Sequence, residues 1–199
     1  MIQPAADVPD APEGDAPEPP RKHSGTRQVV EWLIVVGAAL LVALIVRVFL
    51  FQAFFIPSES MTPTLEKHDR VIVNKLSYKL HDVHRGDIIV FKTPPGQDDG
   101  VNDLVKRVIG LPGETVEFRD GSVFVNGKQL DEHYLPDGTV TAPTCGVASS
   151  VTVPAGHYWV MGDNRTQSKD SRCFGAIPKG DIVGRAFFRF WPLSRIGIL

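Results

Sequence analysis

The stretch that most constrains this chain is long and apolar: "VVEWLIVVGAALLVALIVRVFLFQAFFIP", from Val29 to Pro57. Fifteen uncharged residues separate Glu31 from Arg47. That is about 22 Å of helix, short of a bilayer by itself. Taken from Val29 to Phe51 the segment has 23 residues, and it crosses if Glu31 and Arg47 reach the two interfaces along their own side chains. A cleavable signal has a shorter apolar region followed by small residues. This one runs through Arg47 into "FLFQAFFIP", so the sequence predicts an uncleaved transmembrane anchor over residues 29–51, set in a lipid bilayer.

The flanks divide the remainder of the 199 residues. Arg21, Lys22 and Arg27 precede the anchor, whereas Ile56 to Leu65 hold no Lys or Arg. This asymmetry puts the N-terminus in the cytoplasm and residues 52–199 outside the cell membrane, although Lys67 and Arg70 weigh the other way. Residues 1–28 are dominated by Pro, Ala, Asp and Glu with little to bury, and they are predicted to be a disordered cytoplasmic tail. The exported part suffices for one domain. A net charge of −2 offers no basic field, which argues against nucleic acid as a partner.

After Thr64 the sequence alternates short β-branched or aromatic runs with turn residues: "RVIVNKL", "GDIIVFK", "DLVKRVIG", "ETVEFRDGSVFVNG", "HYWVMGD" and "DIVGRAFFRFW". These predict a mainly β domain built from antiparallel sheet. Asp120-Gly121 supplies the two positive-φ residues of a type I′ hairpin turn. In "GLPGE", Pro112-Gly113 suits the centre of a type II turn. "DGTVTAPTCGVASS" is poor in large apolar residues and marks a loop-rich insertion around 128–152 before a strand at "SVTVP".

Several chemistries can be weighed from residue types. His81 and His84, in "HDVHRGD", are the only close histidine pair; with no H-E-x-x-H and no paired C-x-x-C, they read as a surface loop and no metal is expected. A Ser-His-Asp triad needs its members to meet only in space, but no G-x-S-x-G turn is present. A lysine is the other way to activate a serine. Strand alternation puts Lys106 on one face with Leu104 and Val108, and Val105, Arg107 and Ile109 on the other. Buried there, its amine falls from about 10.4 toward the 7 to 8 of a general base; at a sheet edge it snorkels to water instead. "GDNRTQSKDSR" crowds Asp163, Asn164, Arg165, Ser168, Asp170, Ser171 and Arg172 into one polar loop, either a solvated turn or a charge pair with a serine that orients an amine. Cys145 and Cys173, 28 residues apart, form a disulfide in an oxidising compartment or remain two packed thiols.

An N-terminal anchor followed in order by "PSESMTPTL", "GDIIVF", "KRVIGLPGE" and "GDNRTQSKDSR" resembles the bacterial type I signal peptidases, from the anchor to about Gly175. The resemblance implies a membrane-anchored Ser/Lys serine protease that cleaves the signal peptides of exported preproteins, a monomer without a cofactor. It implies that Ser60 is the nucleophile and Lys106 the general base. Ser58 is then the side-chain donor of an oxyanion hole completed by the Ser60 N–H, Ser168 holds the lysine amine, and Asp170 with Arg172 is a supporting ion pair. Thr166 and Gln167 depart from the residues common at those positions. Two other readings share the scaffold: a self-processing Ser/Lys protease, which lacks a reason for the anchor, and an export-associated binding module, which lacks a reason for both dyad residues.

"IPSESMTPTL" then has a place. Ser60 lies nine positions after Phe51, at most about 30 Å extended, so it is expected near the outer membrane surface. Pro57 and Pro63 restrict the backbone on either side of the serines. Phe51, Phe54, Phe55 and Ile56 read either as the end of the span or as an apolar surface in the interface.

Overall fold

The computed structural model describes residues 25–45, 50–97 and 100–199. Most of the expected tail, with Arg21 and Lys22, and Arg47 near the expected end of the span lie outside these residues.

The chain forms two compact units, residues 1–41 and 42–199. The first described element is helix α1, Gly25–Ile45. Gly25 to Gln28, expected in the tail, are helical, and Arg27 Nε bonds Glu31 Oε1 at 3.1 Å one turn on. The window Arg27–Leu44 is long and apolar enough to cross a membrane, and none of it is buried against protein. From Trp32 to Leu44 the helix carries apolar residues on every side and lacks the polar face that water requires.

Phe51, expected to close the span, instead opens strand β1, Phe51–Phe55. There follow β2 (Arg70–Asn74), the single turn α2 (Ser77–Leu80), β3 (Ile88–Lys92), β4 (Asp103–Gly110), β5 (Thr115–Arg119) and β6 (Ser122–Val125). The rest are β7 (Lys128–Gln129), β8 (Ser150–Thr152), β9 (His157–Met161), the turn α3 (Ser171–Phe174), β10 (Ile177–Pro178), β11 (Ile182–Trp191) and β12 (Gly197–Ile198). Among the described residues the larger sheet runs β1-β2-β11-β3-β4-β9-β10 with β12 on β11, and the smaller runs β7-β6-β5-β8. The fold is mainly antiparallel β, as expected.

Each apolar run became a strand because alternate residues meet different layers. In β3, Ile88 and Val90 join a cluster with Val71, Val73, Met61 and Leu65, while Ile89 and Phe91 join another with Val108, Val160 and Ile177. A third cluster, with Ile109, Val116, Phe118 and Trp159, joins the ends of β4 and β9 to the smaller sheet. The β5–β6 hairpin turns on Asp120 and Gly121 at φ 52° and 74°, with Arg119 opposite Ser122. The insertion is strapped at both ends, since β7 and β8 pair with β6 and β5.

The same core explains β1. Phe54 packs against the first cluster and Ile56 is fully within it, so both belong to the domain rather than to the end of a span. Phe55 stays exposed.

Candidate active site

Between β1 and β2 the chain makes a tight excursion that carries Ser58 and Ser60. Its base is closed by backbone bonds from Ile56 N to the Asp69 carbonyl (2.9 Å) and His68 N to the Ile56 carbonyl (2.8 Å). Met61 and Leu65 plug it into the core, each burial stabilising by roughly 1.5 to 3 kcal/mol. Ser60 is therefore presented by a loop whose two neighbours in the core leave it little freedom.

Lys106 comes from β4, where it faces Ile89 across the ladder. Leu104 and Val108 pack in one cluster and Val105 in another, so the alternation read from the sequence holds. The amine does not snorkel: Lys106 is 3% exposed, and its Nζ donates to Ser60 Oγ at 2.6 Å. Burial brings its pKa from 10.5 down to about 8, against the opposing pull of Asp170 and Asp163 and with the help of Arg172. Desolvation wins because an ammonium loses more by leaving water than two carboxylates at a distance return. Ser58 Oγ lies 3.3 Å from Ser60 Oγ, so both hydroxyls converge on one spot.

The loop after β9 braces this pair. Arg172 holds Asp170 with Nε to Oδ1 at 2.9 Å and Nη2 to Oδ2 at 2.8 Å, both side chains buried. Asp170 also caps α3 through the Arg172 N–H and accepts from Gly162 N at 3.0 Å. The ion pair expected from the sequence is formed. Ser168 differs: its hydroxyl is buried without a hydrogen-bond partner rather than bonded to the lysine amine. Ser168 packs on the bare Cα of Gly162, where a Cβ would overlap it.

Two contributions were not legible beforehand. Arg107 grips buried Asp163 through Nε (2.9 Å) and Nη2 (2.7 Å), tying β4 to the loop on the strand face opposite Lys106; the adjacent "KR" in β4 was the available signal. Asn164 bonds the carbonyls of Ser60 and Glu59, which no spacing reveals.

The insertion is fastened to the same loop. Cys145 and Cys173 form a disulfide, Arg172 Nη1 reaches the Ala142 carbonyl at 3.2 Å, and buried Arg165 clamps Glu132 and Thr141. His81 and His84 lie exposed in their loop. Among the described residues no group of three His, Cys, Asp or Glu is placed to hold a metal.

A cleft of about 410 Å³ takes in Ser58, Ser60 and Lys106 together with apolar Phe54, Ile56, Leu104 and Val105. A larger hollow of about 630 Å³ lies along residues 121–139 and includes neither member of the pair; chemistry rather than volume marks the site.

The chain is similar to known proteins. The chain is 43% identical over 175 residues to a signal peptidase I of Leptolyngbya laminosa, covering 86% of this chain and 84% of that one. It is 45% identical over 163 residues to a probable signal peptidase I-2 of Synechocystis sp. (81% and 72%), and 40% over 182 residues to signal peptidase IB of Staphylococcus aureus strain COL (84% and 92%). A crystal structure of a signal peptidase I from Enterococcus faecalis V583 is similar at a TM-score of 0.44 and 38% identity, over 52% of this chain and 96% of that one. The family model described as signal peptidase, peptidase S26, matches residues 29–191, a span that contains β1, the serine excursion, β4 and the bracing loop. With that match and relatives above 40% identity along most of their length, the chain belongs to the signal peptidase family, peptidase S26.

Proposed function

We propose that this chain is a membrane-anchored serine endopeptidase that removes signal peptides from exported preproteins, with Ser60 as nucleophile and Lys106 as general base. The observation that carries the reading is the 2.6 Å contact between a buried amine and the Ser60 hydroxyl. With its pKa near 8, Lys106 is deprotonated often enough to accept a proton.

Neutral Lys106 takes the Ser60 proton as Oγ attacks the scissile carbonyl carbon. The Ser58 hydroxyl and the Ser60 N–H then face the developing oxyanion, a donor of this kind being worth about 3 to 4 kcal/mol in the transition state. Collapse expels the amine of the mature protein, which takes the proton from Lys106, and leaves an ester on Ser60. Water, deprotonated by the same amine, hydrolyses that ester. Asp170 and Arg172 hold the loop that faces Lys106.

The substrate is an extended signal peptide whose small side chains enter the apolar cleft walled by Phe54, Ile56, Leu104 and Val105. The relatives' names support this substrate. Helix α1 anchors the chain with its N-terminus in the cytoplasm and the β domain outside, and the enzyme works as a monomer.

Cleavage of a synthetic signal peptide in trans tests the reading. Wild type cuts it, and Ser60→Ala and Lys106→Met, both folded by circular dichroism, do not. A self-processing protease leaves the peptide intact, and full activity of either variant removes that residue from its role.

A further inference from the structure

Asn164 touches the serine excursion twice. Its backbone N–H donates to the Ser60 carbonyl at 3.1 Å, and its side-chain Nδ2 donates to the Glu59 carbonyl at 3.2 Å. The Glu59 carbonyl also accepts the Thr62 N–H at 3.1 Å. Both lone pairs of that oxygen are therefore occupied. The peptide planes before and after Ser60 are each held by the same residue.

The first of these planes matters chemically. It contains the Glu59 carbonyl and the Ser60 N–H, and the bond is trans, the cis bonds among the described residues being Thr62-Pro63 and Trp191-Pro192. In a planar trans peptide the carbonyl and the following N–H point in opposite directions. Holding the carbonyl on one side therefore aims the N–H on the other. Rotating that plane by crankshaft motion misdirects the N–H without moving the Ser60 side chain far.

The orientation of the Asn164 amide is itself fixed. Thr166 Oγ1 donates to Asn164 Oδ1 at 3.3 Å, which leaves Nδ2 for Glu59. A flipped amide would set two acceptor oxygens face to face.

We propose that Asn164 is a positioning residue for the oxyanion hole: by pinning the Glu59–Ser60 peptide plane it aims the Ser60 N–H at the developing negative charge. The proposal rests on the reading of Ser60 as nucleophile. Because the Ser60 N–H is called on as negative charge develops, the effect is expected on the transition state more than on peptide binding.

The experiment compares wild type with Asn164→Ala, Asn164→Asp and Thr166→Val. Asn164→Asp keeps the size and the backbone N–H but replaces the donor with an acceptor. Expected for Asn164→Ala and Asn164→Asp is a fall of about 10- to 100-fold in kcat at nearly constant KM, with a smaller fall for Thr166→Val. A signal-peptide aldehyde, which becomes a tetrahedral adduct on Ser60, should lose affinity by a similar factor, whereas the matching peptide alcohol, which forms no adduct, should bind as to wild type. Equal loss of both ligands, or kcat unchanged in Asn164→Asp, overturns the proposal. Ser60→Ala runs alongside: if it still cuts peptide, the nucleophile assignment has failed, and if it is inactive while Asn164→Asp is normal, the positioning role alone has failed.

Discussion

Gly162 presses its bare Cα against the carbonyl of Ser60: a Cβ at this position would overlap both that oxygen and the Ser168 hydroxyl. The closeness lets the loop after β9 and the serine excursion share one layer, with the Gly162 N–H given to Asp170. Gly162→Ala should therefore push the two apart. We expect a loss of about 1 to 3 kcal/mol of stability from overpacking, read by urea unfolding, and a larger loss of peptide cleavage than the unfolded fraction explains.

The pH profile of cleavage should report Lys106. Only the neutral amine accepts the Ser60 proton, so kcat/KM should rise with pH, reach half its plateau near the free-enzyme value of about 8, and fall about tenfold per pH unit well below it. A profile flat from pH 6 to 10 would falsify the assignment of Lys106 as base.

Stability should depend on pH in the same window. Folding lowers the lysine pKa from 10.5 to about 8, so between these values the unfolded chain holds a proton that the folded chain lacks, and stability rises with pH. Below about 8 both states are protonated and the full cost of the buried charge is felt, on the order of 3 kcal/mol. Lys106→Met should thus be inactive yet more stable than wild type at pH 7, and should lose this rise when urea midpoints are compared at pH 7 and 10.

Asp170 raises the Lys106 pKa and Arg172 lowers it. Asp170→Asn removes the first influence and keeps the second, so the midpoint of the activity profile should move to lower pH. The same change leaves a buried guanidinium unpaired, and a loss of about 3 to 5 kcal/mol is expected. Titration of kcat/KM on the folded fraction separates the two effects.

Cys145→Ala with Cys173→Ala opens a loop of sequence separation 28. In the chain-entropy account this costs about 3 to 4 kcal/mol. Thermal unfolding of the double variant should match that of reduced wild type; a midpoint equal to oxidised wild type would show that the bridge contributes nothing to stability.

Much of the architecture is local and could be read along the chain. Val71 and Val73, or Ile88 to Phe91, announce strands because β-branched and aromatic residues favour a pleated surface, and Asp120-Gly121 announces its hairpin through φ alone. Phe51, expected to close the span, belongs to β1 for a related reason: an apolar strand that comes soon after an apolar run continues its hydrophobicity, and composition has no mark between them. Only pairing with Val71 and Val73 separates them. The insertion looked loose because it lacks large apolar residues, whereas Arg165, Arg172 and the disulfide secure it by polar and covalent ties to distant segments.

For the candidate site, the sequence by itself determined the chemical inventory: which hydroxyls follow the apolar run, that a lysine alternates between Leu104 and Val108, and that Asp170 and Arg172 stand two residues apart. Tertiary structure decided what each member of that inventory does. An amine in a strand is solvated or buried according to what covers it, and Lys106 is covered by an excursion 46 residues earlier. Ser168 lies without a partner and Asn164 holds two carbonyls because of where β9 delivers the loop between them. Local preference acts over a few residues and is written in order along the chain; desolvation and hydrogen bonding act through space, and depend on packing that brings distant residues to within a few ångströms.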